Sequence, residues 1–202
     1  MWWMRETGRR FAGTVGTLSK GGAMNLQSSP PDAVISAGRF VLRPVRGSDV
    51  GLIEMYTADR RVAEATRTVP HPLPPGTVQN FIERVSASDS EEDVWVLDGS
   101  ATDLDEVLGT ITLKRMGRDQ SEISYWVAPG FWNTGFATEA VLAIVEANPH
   151  DARTLFAEVF QDNPVSARVL TNCGFEYLGD AETFSVARGA RVPTWTYLRR
   201  MG

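Results

Sequence analysis

Apolar residues recur along this chain at two spacings, and each change of spacing marks a new element. In Glu122-Ile123-Ser124-Tyr125-Trp126-Val127-Ala128 the apolar positions alternate, the pattern of a strand with one covered face. Similar stretches predict strands at 39–45, 93–98, 106–115, 153–160, 175–179 and 193–200. Elsewhere the spacing shifts to three and four. Val78, Phe81, Ile82 and Val85 share one face of a helix over 77–87, with Thr77 as its cap. Further helices are expected at 48–58, 60–66, 135–147 and 164–173, and the proline-rich run from Val69 to Gly76 reads as a loop. The helix at 135–147 is apolar nearly all round, which predicts a central position. Hairpins flanked by helices predict an α/β (α+β) domain on a mixed sheet.

One junction in this pattern has chemical content. Phe131-Trp132-Asn133-Thr134-Gly135-Phe136-Ala137-Thr138 leads from a strand into a helix through a small-residue turn. The first N–H groups of a helix lack intrahelical partners and carry the positive end of its dipole, so a diphosphate placed there gains hydrogen bonds and charge stabilisation together. Gly135 and Ala137 have no side chain large enough to cover those groups. Many strand–glycine–helix junctions hold no ligand, so the motif alone is weak. A second element follows the strand at 153–160: Asn163 suits a helix N-cap, Pro164 the first helical position, and Gly174 the left-handed position past the helix end.

These two elements, in this order, resemble the GNAT superfamily of acyl-CoA-dependent N-acyltransferases. They look most like its branch of ribosomal-protein N-terminal (alanine) acetyltransferases. Trp132, Gly135 and Ala137 fill the loop pattern of that branch, and Asn163, Ser166, Gly174 and Phe175 fill its second motif. Arg39 to Val45, with Ser48 and Asp49, look like its opening strand and first helix. Two residues depart from the pattern. Asn133 stands where the branch usually has Gly, a change that Asn tolerates through its access to the left-handed region. Thr134 stands where a cation is usual, a loss of about 1.5–3 kcal/mol for a hydrogen bond to a charged group, less if exposed.

The resemblance implies a GNAT-like, mostly antiparallel central sheet with a splayed parallel strand pair and flanking helices. It also implies acetyl-CoA as acyl donor, bound by Val127, Trp132, Asn133, Thr134, Gly135, Phe136, Ala137, Thr138 and Asn163. In this family a neutral amine attacks the thioester directly, and a backbone N–H, here of Val127 or Ala128, often contacts the oxyanion. Many members protonate the departing thiolate with a Tyr seven residues after the Asn. That position is Leu170, so Ser166 is the expected donor, although it equally suits a role in capping its own helix. Glu122 and Glu158 are the ionisable side chains on the two central strands and the candidates for moving the amine proton. A strand glutamate equally pairs with arginine or faces solvent. His71 lies in the proline-rich loop, of the kind that borders the acceptor site, and His150 has no context favouring chemistry. No metal site is expected.

Composition narrows the alternatives. A chain of 202 residues supports one well-buried core. A net charge of -5 argues against a nucleic-acid surface and mildly favours an amine partner. The single cysteine, Cys173, excludes an internal disulfide, reads as a buried structural thiol, and fits a reducing, cytoplasmic setting. No stretch approaches the ~20 apolar residues of a membrane span. Residues 1–38 are rich in Gly and Ser and carry Arg5, Arg9, Arg10 and Lys20 against Glu6, which reads as a disordered or targeting extension before a domain at 39–202. The expected function is N-acetyl transfer to a primary amine, either a small molecule or a peptide N-terminus. The alternative is a GNAT-fold acyl-CoA-binding protein without turnover. A dehydrogenase-type nucleotide domain is disfavoured, since no early Gly-x-Gly-x-x-Gly follows the first strand.

Overall fold

The computed structural model describes residues 34–202. Its eight-stranded sheet has the order β1-β2-β3-β4-β5-β6-β8-β7. The strands are β1 (Ile35–Ser36), β2 (Val41–Pro44), β3 (Glu92–Asp98), β4 (Gly109–Gly117), β5 (Gln120–Val127), β6 (Thr154–Phe160), β7 (Glu176–Ser185) and β8 (Ala190–Arg200). Every neighbouring pair is antiparallel except β5 and β6. That parallel pair matches only Gln120 with Thr154, Ser121 with Leu155, and Glu122 with Phe156. Beyond Glu122 the two strands part. β5 stays registered with β4 as far as Val127, and β6 with β8 as far as Phe160, so each strand follows its own half of the twisted sheet.

Both faces of the sheet are covered. In β3 the residues Trp95, Val96 and Leu97 are all buried, and their side chains alternate between faces. Val96 packs with Ile53 of α1 (Val50–Thr57) and with Val78 and Ile82 of α3 (Thr77–Val85); α2 (Arg60–Ala65) precedes α3. Trp95 and Leu97 pack on the other side with Ala140, Val141 and Ile144 of α4 (Phe136–Ala147) and Leu170 of α5 (Pro164–Asn172).

The structure corrects the sequence reading at four places. Residues 34–38 belong to the fold: Ile35 and Ser36 pair with Leu42 and Val41, and Ala37 is buried, in a strand too short to show a period. Residues 1–33 of the expected extension lie outside the described residues. The cap of α3 is Gly76 in a left-handed conformation, while the Thr77 hydroxyl donates to Pro74 O at 2.7 Å. α4 is not enclosed, since Leu142 and Glu146 face solvent on the side away from the sheet. The last hairpin extends well past 175–179, because most of β7 is exposed and carries no alternating apolar signal.

Arg43 ties β2, β3 and the chain entering α1 together. Its side chain is 3% exposed; Nε donates to Asp98 at 2.5 Å, while Nη1 and Nη2 each reach Asp49 at 2.8 Å. Burial alone would raise the Asp98 carboxyl, but hydrogen bonds from Ser100 and Arg43 outweigh it and hold it below the ordinary value. A lowered folded pKa stabilises above the unfolded value near 3.8, and that stabilisation is lost as pH falls through the folded value. Arg43→Met leaves two acids uncompensated and is expected to cost about 3–5 kcal/mol, or roughly 10 °C in melting temperature. The gap to wild type should narrow as pH falls through the lowered pKa of Asp98. Calorimetry across pH checks both; a loss under ~1 kcal/mol at neutral pH would remove this network from its structural role.

Candidate active site

The end of β5 runs through a tight turn at Pro129–Phe131 into the N-terminus of α4. Asn133 (φ 63°) and Gly135 (φ 86°) are both left-handed, the conformation that lets the chain reverse onto the helix. The Thr134 hydroxyl donates to Phe131 O at 2.6 Å, and Trp132 Nε1 to Val127 O at 2.7 Å, so both side chains brace the turn. Gly135 is the N-cap of α4 and no side chain caps that end, which leaves the first N–H groups, including those of Ala137 and Thr138, open to an anion.

A cation stands beside this loop although Thr134 is not one. Arg39, between β1 and β2, donates from Nη1 to Thr134 O at 3.0 Å and from Nε to Glu139 at 2.7 Å. Its guanidinium lies 4.3 Å from the centroid of the Phe136 ring. The loop motif could not reveal it, because Arg39 lies 95 residues before Thr134.

Backbone groups of β5 face the fork. Ala128 N–H donates to Leu108 O at 2.8 Å and is therefore occupied, which corrects its candidacy as an oxyanion donor. By the alternation of an antiparallel ladder, the neighbouring Val127 N–H points away from β4, toward the open side.

A cavity of about 500 Å³ lies at the fork and is lined by Glu122, Glu158, Asn163 and Ser166 together. None of residues 132–138 lines it. Arg67, in the segment after α2, also enters it: Nη2 lies 2.5 Å from Glu122 and Nη1 2.9 Å from Glu158. Burial lowers the Arg67 pKa, but the two carboxylates outweigh it and the guanidinium is held above its ordinary value. Thr194 donates to the other oxygen of Glu158 at 2.6 Å. Two carboxylates share one guanidinium, and the group carries one excess negative charge. No local pattern marks Arg67, which reaches Glu158 across 91 residues of sequence.

Asn163 Oδ1 accepts from Ser166 N–H at 3.2 Å, the expected cap, and the bond occupies none of the Asn163 amide donors. Ser166 Oγ donates to Tyr125 Oη at 3.1 Å. Leu170 is fully buried in the core. His71 does not line the cavity. His150 lies in a buried chain, with Nδ1 2.8 Å from Ser121 Oγ and Nε2 2.6 Å from Asp93; it ties the segment before β6 to β5 and β3. With side-chain exposure of 1%, its ring is closed off from solvent and joins the strands.

The sequence matches the family model of the acetyltransferase (GNAT) domain over residues 39–176, more than half of the chain; the protein belongs to the GNAT acetyltransferase family. It is 29% identical over 99 residues to YoaA, an uncharacterised N-acetyltransferase of Bacillus subtilis (strain 168), a stretch covering 47% of this chain and 56% of that relative, so the match spans little more than half the relative's length. The fold is similar to that of RimL, a ribosomal L7/L12 α-N-protein acetyltransferase solved with coenzyme A. The TM-score is 0.71 at 14% identity, over 84% of this chain and 98% of that one. It is also similar to spermidine N-acetyltransferase of Vibrio cholerae, solved with CoA and spermine, with a TM-score of 0.65 at 17% identity over 79% and 95% of the two chains.

Cys173 is buried beside α4, with Sγ 3.5 Å from Thr138 O, and burial pushes its thiol up to about 11. Iodoacetamide at about pH 8 should therefore leave it unmodified in the folded protein and modify it fully in denaturant. Mass spectrometry reads the difference; rapid labelling of native protein would contradict the buried position.

Proposed function

We propose that this protein transfers the acetyl group of acetyl-CoA to a primary amine, either a small molecule or a peptide N-terminus. One observation carries the reading: at the fork of β5 and β6 a cavity holds two carboxylates on a single guanidinium, an acidic cluster that can receive an ammonium group, while Arg84 and Lys114 stand with Glu92 elsewhere in the same lining. The open N-terminus of α4 would hold the diphosphate of the donor, and the fork would take its pantetheine arm. The RimL and spermidine acetyltransferase structures, solved with coenzyme A, support this assignment by fold.

The roles follow from where each group stands. Glu122 or Glu158 accepts the amine proton, through water, and passes it to solvent. The neutral amine attacks the thioester carbonyl, and Val127 N–H polarises the developing oxyanion. Ser166 donates a hydrogen bond to the departing sulfur, and Asn163 contacts the pantetheine arm with its free amide donors. The lone, buried cysteine supports a reducing compartment such as the cytoplasm. Among the described residues no helix is long and apolar enough to cross a membrane.

Ala137→Asp tests the donor site. A carboxylate in the first turn suits the helix dipole and should keep the fold, but it would repel a diphosphate. Calorimetry should show acetyl-CoA affinity falling by at least roughly tenfold, with the cooperative unfolding transition retained although Ala137 packs partly against the core. Unaltered affinity would move the donor site elsewhere.

Thiol release from acetyl-CoA across small amines, polyamines and peptides with free N-termini tests turnover. At least one class should release thiol above the rate with water alone. Tight acetyl-CoA binding without release across the whole panel would favour the binding protein without turnover.

A further inference from the structure

Leu170 occupies the position from which a tyrosine would otherwise reach the thioester sulfur, and it is fully buried. A phenol nonetheless arrives at Ser166 from a different element. Tyr125 lies on β5, three residues beyond the last matched pair of β5 and β6, and its ring lines the cavity together with Ser166 of α5. Its Oη is 3.1 Å from Ser166 Oγ and 3.1 Å from Ser166 O. The phenol is thus held between a hydroxyl and a carbonyl of one residue, at equal reach of both.

We propose that Tyr125 is a positioning residue for departure of the thiolate, acting through the hydroxyl of Ser166. The inference rests on the acetyltransferase reading above. In the present arrangement the Ser166 hydroxyl donates to Tyr125, and the phenol donates to Ser166 O. When the tetrahedral adduct collapses, Ser166 turns its O–H to the sulfur, and Tyr125 turns its own from Ser166 O to Ser166 Oγ. Both are rotations of hydroxyl protons; no heavy atom moves. The resulting chain, phenol to serine to sulfur, polarises the serine O–H and strengthens it as a donor.

The step balances without an ionised hydroxyl. The new C–N bond remains, the C–S bond breaks, and its electron pair goes to sulfur. Tyr125 and Ser166 keep their protons. One ammonium proton has left through a glutamate to water before attack, the adduct nitrogen gives its second proton to water as the amide forms, and the thiolate takes a proton from water. Burial raises the Tyr125 pKa, in keeping with a phenol that lends a hydrogen bond and retains its proton. Without the phenol, Ser166 in the first turn of α5 has its own helix carbonyls as competing acceptors, and its hydroxyl is no longer aimed.

The test is a double-mutant cycle on Tyr125→Phe and Ser166→Ala, measured in single turnover with acetyl-CoA and an accepted amine. Tyr125→Phe keeps the ring, so acetyl-CoA affinity within twofold of wild type and an unchanged melting temperature are expected. Its acetyl-transfer rate should fall roughly 10–100-fold. Ser166→Ala should fall at least as far, and the double variant should be no slower than Ser166→Ala alone. Losses that multiply in the double variant, an undiminished rate in Tyr125→Phe, or an undiminished rate in Ser166→Ala would each overturn the inference while leaving the acetyltransferase reading intact. Wild-type protein that binds acetyl-CoA and acetylates no amine would overturn both.

Discussion

The structure depends on the parting of β5 and β6 after three matched pairs. Each strand is held along its outer edge, β5 by β4 and β6 by β8, and neither can rotate toward the other without losing that register. Their inner edges are left with backbone donors and acceptors that need partners. Trp132 Nε1 takes the carbonyl of Val127, and the N–H of the same residue points into the opening. A ligand with amides along its length would complete the sheet there. The fork thus opens a slot, and Arg67, Glu122, Glu158, Asn163 and Ser166 stand around it.

Charge is managed differently in two places. Arg43 is buried among acids that orient it, and together they join β2, β3 and the approach to α1 as a structural tie. Arg67 lies at the cavity and bridges β5 and β6 at their point of divergence, holding one carboxylate from each strand. The first network joins strands inside the fold; the second places charged groups at a cavity. Arg39 shows a third use, bracing the loop at the head of α4 against Glu139 and setting a guanidinium beside a loop whose own sequence has none.

Much was legible in the linear pattern. The alternation at 122–128, the apolar spacing of Val78, Phe81, Ile82 and Val85, and the Asn163-Pro164 cap each mark an element found in the fold, because hydrophobic period and capping chemistry act over a few residues. The loop at 132–138 was legible for the same reason: glycine, asparagine and a helix start determine a local conformation. Glu122, Glu158, Asn163 and Ser166 were named from strand and motif positions, and the fold brings all four to one cavity.

What the chain did not disclose depends on distance in sequence. Arg67 meets its carboxylates, Arg39 meets Thr134, and Tyr125 meets Ser166 only through tertiary packing, across separations of 41 to 95 residues. His150 carried no local signal yet sits hydrogen-bonded between two strands. Sequence by itself determined most of the elements, the Asn163 cap and the conformation of the loop at 132–138, since those follow from the torsional and hydrophobic preferences of neighbouring residues. Tertiary structure alone decided which charges face each other and which hydroxyls touch, because a side chain's partners are set by where the sheet's twist and fork carry its backbone.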